Sequence, residues 1–585
     1  MSARLGALLL LSLLAAGCGG AGSGPPAAVS ALHPPPALVS VFPVPGSRVA
    51  SPGAEIAFRG VPARRLGTVS VSGSRSGRHG GRIAADSDGE GASFLPSRPF
   101  IPGEVVTVST HLQVRGARGG RFRFTVATPA GAIPFSPPPP AARVPGDVLS
   151  FRSRPDLSPA SVEVTRQSGP AVSGDIFLAP QQGPLQGGPM IVGPRGELVW
   201  FKALPPGELA GDFRVQTYRG RAVLTWWQGR MGAGVGVGED VIDDAAYRQL
   251  AVVHAADGLA ADLHEFQLTP RGTALITAYY PVYWSLSSGH GPARAIVLDS
   301  VVQEIDVATG RLLFEWDSLD HVPLHDSYQP RPTTPGQPFD YFHVNSVQAA
   351  DDGDLIISAR NTWAAYEIDR HTGAVIWTLG GRHSDFKLGP GVRFAFQHDV
   401  RVAAGAATVS VFDDGAGPPA VHGESRALTL RLSPGAAALV GEVRHWPALL
   451  ADWEGNSQPL PGGERFLGWG QQPYFSQFDG RGRMVFDGRF IGANSTYRAY
   501  RFPWSGHPAS SPAIGAGNGS VAVSWNGATD VAWWRVLAGG RPRETVPKQG
   551  FETVIGVPPG RIAVEALDRH GRVLGGSRTV SVGVG

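Results

Sequence analysis

A hairpin pattern that recurs in the middle of the chain constrains the fold more than any other feature. The stretch VQEIDVATGRLLFEW (302–316) returns as AYEIDRHTGAVIWTL (365–379), with Glu, Ile, Asp, Thr and Gly at matching positions. In each copy two apolar segments flank a Gly turn, which is typical of a β-hairpin. Self-similarity of this kind indicates a repeat architecture, in which each unit buries its apolar face against its neighbours.

A second kind of hairpin begins with histidine in three successive repeats. These segments start at His264 (HEFQLTPRGTALIT), His343 (HVNSVQAADDGDLIIS) and His398 (HDVRVAAGAATVSVF). Two hairpins per repeat make a four-stranded blade, and we expect six blades around a central channel, with five or seven as alternatives. Because equivalent positions of blades converge on the axis, the three imidazoles are expected to share one pocket.

Short alternating strands flank the repeats on both sides. Residues 37–128 and 506–585 alternate apolar and polar positions between turns, as Ig-like and fibronectin-like β-sandwiches do. Residues 129–145 form a Pro-rich linker, and the propeller is expected over 146–505. The 79 Gly and 51 Pro of the 585 residues agree with so many turns. The predicted fold class is all-β: a six-bladed β-propeller flanked by N-terminal and C-terminal Ig/fibronectin-like β-sandwiches.

The first residues have the pattern of a bacterial lipoprotein signal. Residues 1–17 contain a basic residue, an apolar run too short to span a bilayer, and small residues before Cys18. Cys18 is the single cysteine, so we predict its lipidation, and no intramolecular disulfide can form. Residues 18–36 resemble a tether. We expect an exported protein anchored to the outer face of the bacterial cytoplasmic membrane as a lipoprotein, or alternatively a secreted one.

The charge distribution argues against nucleic acid as a partner. The formal net charge is +3, and it arises from scattered Arg rather than from a basic stripe. The expected partners are therefore small molecules, and the membrane through the lipid anchor. A homodimer is left open.

Arg360 belongs with the three histidines, because it ends the strand DLIISAR that follows His343 in the same blade. A guanidinium offers a planar fork of donors, and imidazoles can donate when protonated or attack when neutral. Together they suit a sulfate or phosphate ester, with one imidazole as the nucleophile. Asn345 in the HVNS motif is predicted to bind the substrate. Trp363 is predicted to offer a ring face to an aromatic substrate.

The three histidines also allow a metal site, and three further histidines lie elsewhere in the chain. The same three imidazoles could bind zinc or copper, with Glu265 or Asp399 adding a carboxylate. They lack HxH or HExxH spacing, however, and Arg360 would oppose a cation, so we predict no metal and no cofactor there. The remaining candidates lie in Pro/Gly-rich loops and are expected at the surface, a channel role being the alternative for the second of them: His321, His325 and His383.

One long segment resembles a known family. The run FDYFHVNSVQAADDGDLIISARNTWAAYEIDRHTGAVIWTLGGRHSDF, followed by FAFQHDVR, is similar to the arylsulfotransferases, the PAPS-independent aryl-sulfate sulfotransferases. The similarity covers most of 150–505, and the HVNS…SxR and EID…TG…W patterns resemble a divergent branch of the family. The resemblance implies a six-bladed propeller in which a channel histidine is transiently sulfated by an aryl sulfate and then passes the group to a phenol.

The resemblance also implies roles for particular residues. By its position in the motifs, His398 resembles the sulfated histidine, and Asn345 goes with the HVNS pattern. The sulfate-holding residues are matched by His264, His343 and Arg360. We therefore predict a ping-pong sulfotransferase with a sulfohistidine intermediate, in which one histidine exchanges a proton with the phenol. The alternatives are a non-catalytic propeller that binds an anionic or aromatic ligand or a cell-wall polymer, and a metal-dependent oxidoreductase.

Overall fold

A computed structural model describes residues 38–132, 135, 142–168, 173–181, 183, 186–287, 292–334, 336–403, 405, 407–417 and 419–583. The predicted signal segment 1–17, Cys18 and the predicted tether 18–36 lie outside the described residues, as does part of the Pro-rich linker 129–145. The described fold is all-β, as predicted, with two four-residue α-helices, α1 (Ala63–Leu66) and α2 (Ser318–His321). None of the described helices is long and apolar enough to cross a membrane.

The N-terminal strands form two sheets around one core. They are β1 (Ser40–Phe42), β2 (Ile56–Arg59), β3 (Ser70–Gly73), β4 (Gly77–His79), β5 (Gly81–Ala85), β6 (Gly91–Pro96), β7 (Val105–Ser109) and β8 (Arg121–Thr125). The sheet orders are β1-β2-β6-β5 and β4-β3-β7-β8. Alternate residues of β3 and β8 are buried, because successive side chains of a strand point to opposite faces. The inward residues of both sheets, among them Phe58, Phe94 and Phe124, share one apolar cluster.

The middle of the chain contains twenty-six strands among the described residues. The first twelve are β9 (Val162–Gln167), β10 (Asp175–Leu178), β11 (Met190–Val192), β12 (Leu198–Phe201), β13 (Leu209–Tyr218), β14 (Arg221–Gly232), β15 (Val235–Asp243), β16 (Gln249–Val253), β17 (Ala261–Leu268), β18 (Thr273–Trp284), β19 (Ala295–Asp306) and β20 (Arg311–Asp317). The next fourteen are β21 (Val344–Ala349), β22 (Leu355–Ala359), β23 (Ala364–Ile368), β24 (Val375–Gly380), β25 (Lys387–Leu388), β26 (His398–Val402), β27 (Thr408–Asp413), β28 (Arg426–Ser433), β29 (Ala436–Arg444), β30 (Asn456–Pro459), β31 (Arg465–Gly468), β32 (Tyr474–Phe478), β33 (Met484–Phe490) and β34 (Tyr500–Phe502). Short 3-10 turns occur at Leu324–Asp326 and Pro461–Gly463.

These strands form groups of four that follow one another along the chain. The sheets are β34-β10-β11-β12, an eight-stranded sheet over β13–β20, β21-β22-β23-β24, β26-β27-β28-β29 with β25 at its edge, and β30-β31-β32-β33 with β9 at its edge. The eight-stranded sheet comprises two groups of four, which are joined through the single pair Gly238–Ala261. The repeated hairpins predicted from the sequence are β19–β20 and β23–β24.

The first strand of each group contacts its counterpart in the next. Contacts run from β34 to β13, then to β17, β21, β26 and β30, and β31 contacts β34 again. Two pairings join strands from opposite ends of this region, since β10 pairs with β34 and β9 pairs with β33. The first strands of successive groups therefore lie next to one another.

The C-terminal strands again form two sheets around a core that contains Trp534. They are β35 (Ala513–Gly517), β36 (Ser520–Ser524), β37 (Trp533–Ala538), β38 (Arg541–Pro547), β39 (Glu552–Gly556), β40 (Gly560–Leu567), β41 (Val573–Gly576) and β42 (Val580–Val582). The orders are β35-β36-β39 and β38-β37-β40-β41, with β42 paired to β40. Both flanking units bond to the middle region: the Glu55 carboxylate accepts the Leu312 N–H at 2.6 Å, and the Asn526 amide donates to the Phe201 carbonyl at 2.8 Å.

Candidate active site

Three first strands are interrupted at the position of their histidine. The register of β17 shifts between Asp262 and Phe266, and that of β21 between Val344 and Ser346. In β26 the shift follows His398 directly. A bulge of this kind turns a side chain in a new direction. The same place also contains non-glycine residues with left-handed backbone, namely His343 (φ 59°) and Asp399 (φ 51°). Such conformations cost free energy and concentrate at functional sites.

The structure brings the three predicted histidines together around one tyrosine. The ring centroids of His264 and His343 lie 4.8 Å apart in an edge-to-face arrangement. The Tyr497 ring lies 5.4 Å from His264 and 6.4 Å from His398. The three histidines are buried, with exposed fractions of 4%, 0% and 0% in chain order. Imidazoles that are 79 and 55 residues apart in sequence therefore form one cluster.

Each imidazole of the cluster is held through Nδ1 by a carboxylate. The three pairs are His264 with Asp262, His343 with Asp340, and His398 with Asp414. In the last pair Nδ1 and the carboxylate oxygen are 2.8 Å apart. A carboxylate in this position fixes the ring orientation and leaves Nε2 as the atom that faces a substrate.

The two buried Nε2 atoms differ in their surroundings. Nε2 of His343 has no hydrogen-bond partner in the described part of the chain. Nε2 of His398 accepts the backbone N–H of Glu454 at 3.3 Å. Because this nitrogen is an acceptor, the proton of the neutral His398 ring lies at Nδ1, in the hydrogen bond with Asp414, whose pKa burial raises well above its ordinary value. His398 thus presents a lone pair at Nε2, which is the form that a nucleophilic imidazole requires.

Arg360 supplies the positive charge of the site. Its backbone N–H donates to the carbonyl of His343 at 2.9 Å. Its guanidinium lies 4.4 Å from the centre of the Phe396 ring and 3.6 Å from the carboxylate of Asp340. The Arg360 side chain is 15% exposed, more than that of any of the three histidines. It is therefore the member of the cluster that solvent reaches most readily.

Burial and Arg360 together keep two of the imidazoles neutral. Burial, reinforced by the Arg360 charge, lowers the pKa of His343 to about 4. Burial and the same guanidinium, with His264 and His343 adding to them, move the pKa of His398 well below its usual value. At pH 7 both rings are neutral, so neither is ready to donate a proton as an imidazolium.

Glu454 is a member of the site that sequence reasoning missed. It precedes β30 and has left-handed backbone (φ 71°), and its buried Oε2 finds no hydrogen-bond partner among the residues that the structure describes. Burial raises the pKa of this carboxyl to about 8, against the opposing charge of Arg360. A carboxyl that stays protonated at pH 7, on a residue whose backbone N–H contacts the His398 imidazole, can act as a proton donor in the site.

The two residues predicted to bind the substrate are both buried. The Asn345 side chain donates to the Gln397 carbonyl at 2.7 Å, and so links β21 to the residue before β26. No described residue donates a hydrogen bond to its Oδ1 atom. The Trp363 ring stacks on Tyr328 with centroids 3.7 Å apart, and it is 2% exposed. The substrate-binding roles of Asn345 and Trp363 stay predictions.

A network of buried ions adjoins the histidine cluster. Arg498 donates to the Asn345 carbonyl at 2.8 Å, and Tyr497 donates to that same carbonyl at 3.1 Å. The cations and carboxylates of this network, which are buried except for the 15% exposed Arg401, are Arg214, Arg401, Arg498, Asp212, Glu265 and Asp399. With three cations and three carboxylates the network is balanced in formal charge. Glu265 and Asp399, the carboxylates considered as metal ligands, are instead paired with arginines.

The carboxylates that orient the histidines had a signal in the sequence that was not used. Asp262 and Asp340 lie two and three residues before their histidines. Asp414 follows the second strand of its hairpin, as Arg360 does. Glu454 and Tyr497 lie just before β30 and β34, near the position that histidine occupies in the other groups. Polar residues of every type at the beginnings of strands, and not histidines alone, are therefore the sequence signal for this site.

The fold and this site define a class of protein: an all-β repeat protein with buried neutral imidazoles and a partly exposed guanidinium where its repeats meet. Residues 214–491 match the family described as Arylsulfotransferase (ASST), and this match supports membership of the arylsulfotransferase family. The matched segment includes all three histidines, Arg360 and Glu454. Membership implies a sulfotransferase enzyme. No curated protein matches the sequence at a significant level.

Solved structures resemble the chain only distantly. A protein of unknown function from Bacteroides caccae is 13% identical with a TM-score of 0.34, over 56% of this chain and 98% of that one. The periplasmic gluconolactonase of Pseudomonas aeruginosa is 14% identical with a TM-score of 0.29, over 70% and 96%. A protein from Lactobacillus plantarum is 12% identical with a TM-score of 0.30, over 70% and 97%.

Proposed function

We propose that the protein is an aryl-sulfate sulfotransferase that works through a sulfohistidine on His398, in a closed six-bladed propeller. The support for closure is the circuit of contacts among the first strands, together with the β10–β34 pairing that joins both ends of the region. The support for the reaction is family membership. The observation that carries the nucleophile assignment is the neutral His398 ring, held at Nδ1 by Asp414 and with its lone pair at Nε2.

The donor half-reaction begins with in-line attack on sulfur. Nε2 of His398 forms the N–S bond while the S–O bond to the aryl group breaks, and the electron pair of that bond leaves with the phenolate. Negative charge lies on the sulfuryl oxygens in the transition state, so Arg360 is the charged donor aimed at them. The Glu454 N–H donates to this Nε2 lone pair at 3.3 Å. That hydrogen bond breaks as the N–S bond forms, and the N–H is then free to donate to a sulfuryl oxygen.

Proton transfer is assigned to Glu454 rather than to a histidine. His343 and His398 are neutral at pH 7, whereas the Glu454 carboxyl is raised to a pKa of about 8 and is protonated. Glu454 gives its proton to the departing phenolate. The carboxylate that results removes the proton from the incoming phenol, whose oxygen attacks sulfur as the N–S bond breaks. The lone pair then returns to Nε2, and every group regains its initial state.

The test is a single-turnover reaction of His398→Ala compared with wild type. Wild type mixed with p-nitrophenyl sulfate should release about one equivalent of p-nitrophenol in a burst and hold acid-labile sulfate on His398. His398→Ala should show neither. His445→Ala is the matched control, because His445 is also buried and bonds to a carboxylate, that of Asp487 at 3.1 Å, outside the cluster.

Two results would contradict the proposal. Sulfuryl transfer by His398→Ala at the wild-type rate would show that His398 is not the nucleophile. Tight binding of aryl sulfates by wild type, with no burst of phenol and no transfer to an acceptor, would instead favour a non-catalytic binding protein.

A further inference from the structure

Two exposed histidines and an aspartate form a second cluster. The 3-10 turn Leu324–Asp326 provides His325 and Asp326, and the loop between β24 and β25 provides His383. We propose that these three residues bind a divalent transition-metal ion of the zinc class. This site uses none of the side chains assigned to sulfuryl transfer, and it does not depend on that assignment.

The distances between the donor atoms fit such an ion. Nε2 of His325 lies 3.6 Å from Oδ1 of Asp326, and Nε2 of His383 lies 3.4 Å from the same oxygen. All three ligand atoms lie within 4.8 Å of one another. A tetrahedron with metal–ligand bonds of about 2.0–2.1 Å has edges of about 3.3 Å. Small movements of two exposed rings would therefore complete three corners around one ion, with the fourth corner free for water or another ligand.

The chemistry of the three donors selects the class of metal. Two imidazoles and one carboxylate suit zinc and its neighbours in the transition series, whereas magnesium and calcium prefer oxygen ligands throughout. Arg360 opposes a cation among the channel histidines. Arg382 adjoins the second cluster, but its guanidinium donates to the Ser327 carbonyl at 3.2 Å and lies 4.2 Å from the centre of the Tyr328 ring.

Asp326 provides the independent reason to expect a ligand. Its Oδ1 atom is buried, and among the described residues it accepts no hydrogen bond, although two imidazole nitrogens lie within 3.6 Å. A buried carboxylate oxygen without a hydrogen bond is costly. A bound cation would satisfy that oxygen and use the lone pairs of both imidazoles at once. His325 and His383 themselves are 68% and 66% exposed, so an ion can enter from solvent.

The ion would fasten together two loops that lie against Trp363. Arg382 donates to the Ser327 carbonyl at 3.2 Å, so the loops already touch beside the cluster. Tyr328 stacks on Trp363, and its backbone N–H donates to the carbonyl of Asn361 at 2.8 Å. Asn361 follows Arg360 in sequence. The bound ion would therefore have a structural role. It would hold together two loops beside the candidate active site without contacting the reacting groups.

The experiment measures metal binding directly, on the untagged full chain stripped with EDTA. Titration with Co²⁺ should give one saturable visible absorption band per chain, and Zn²⁺ in competition with a chromophoric chelator should displace it. Asp326→Asn and His383→Ala should each weaken binding by more than about tenfold, since even the loss of an outer-shell partner has that effect. Hydrogen exchange at residues 323–329 should slow when Zn²⁺ is added to wild type.

Two controls separate this site from other histidines. His254→Ala removes an equally exposed histidine, 66% exposed and 3.8 Å from Glu239, and should bind as wild type does. His264→Ala/His343→Ala removes imidazoles of the channel and should also leave the Co²⁺ band unchanged. The proposal is overturned if wild type shows no saturable band, or if His325→Ala/His383→Ala keeps wild-type affinity. Loss of the band in the channel variant alone would place the ion there and equally overturn it.

Discussion

Protonation states of single residues decide what the histidine cluster can do. The imidazoles of His343 and His398 are kept neutral by burial and by Arg360, so their Nε2 atoms can act as acceptors or nucleophiles. Burial acts in the other direction on the carboxyl of Glu454 and keeps it protonated. One cause, removal from water, thus prepares a base and an acid within the same site, because it disfavours the charged form of each.

Replacing Glu454 should slow one class of donor selectively. We expect Glu454→Gln to lower the rate of phenol release from phenyl sulfate by about 10²–10⁴-fold, the usual contribution of a general acid. The loss with p-nitrophenyl sulfate should be far smaller, because p-nitrophenolate is a much weaker base and leaves without a proton. Single-turnover rates with the two esters measure the difference. Equal losses with both would mean that Glu454 only supports the packing around His398.

The pH dependence of the same step follows from the raised pKa. A carboxyl whose pKa lies near 8, instead of the ordinary 4.5, is protonated at pH 7 and loses its proton as the pH rises through about 8. Wild-type release of phenol from phenyl sulfate should therefore fall above that pH, whereas the rate of Glu454→Gln should stay level over the same range.

The residues of the site are positioned by the chain segments at which strands begin. In β17, β21 and β26 an irregular entry positions the histidine, and the short turn before β30 positions Glu454 in the same manner. Gly455 lies between Glu454 and that strand with φ 105°, and a Cβ there would lie 2.4 Å from the Phe412 ring. Only glycine fits, because the backbone is left-handed and the neighbouring ring approaches closely.

A methyl group at Gly455 should therefore destabilise the folded protein. We expect Gly455→Ala to lower the free energy of unfolding by about 2–4 kcal/mol, from left-handed strain together with overpacking. Gly519→Ala is the control, because Gly519 also has positive φ (63°) but open space around it; it should cost about 1 kcal/mol. Urea unfolding measures both variants. Equal destabilisation would show that Phe412 moves away without cost.

At the level of the whole molecule, the ion network ties together several groups of strands. Arg498, just before β34, pairs with Asp212 of β13 at 2.9 Å and with Glu265 of β17 at 3.3 Å. Arg401 of β26 contacts Glu265 as well. Although burial raises it, the surrounding guanidinium charges hold the pKa of Glu265 at about 2. The stability that this ionised carboxylate contributes is present above its ordinary pKa of 4.5 and is lost as the pH falls towards 2.

Removing one charge of this network should destabilise the middle region strongly. We expect Arg498→Met to lower the free energy of unfolding by about 3–5 kcal/mol, because buried carboxylates lose their partner. Arg483→Met removes an arginine that is 71% exposed and pairs with Asp479 at 2.7 Å, and it should give no measurable change. Urea unfolding at pH 7 compares the two. A stable Arg498→Met protein would mean that the remaining arginines neutralise the carboxylates.

Much of the architecture could be predicted because it depends on neighbours in sequence. The alternation of apolar residues and the turn residues around Gly310 and Gly373 located the hairpins β19–β20 and β23–β24. The recurrence of histidine at strand entries led to the three imidazoles that the structure assembles. The carboxylate partners, Glu454 and Tyr497 were missed, since their roles depend on which strand ends meet across the groups.

Short-range sequence patterns were enough to predict where strands begin, where turns connect them and which imidazoles occupy equivalent positions. Strand and turn preferences act over only a few residues. They were not enough to state which nitrogen of each ring is free, which carboxyl keeps its proton, or that Oδ1 of Asp326 accepts no hydrogen bond from the residues that the structure describes. Those properties depend on burial and on charges brought close by the fold. For that reason they exist only once the groups of strands have packed together.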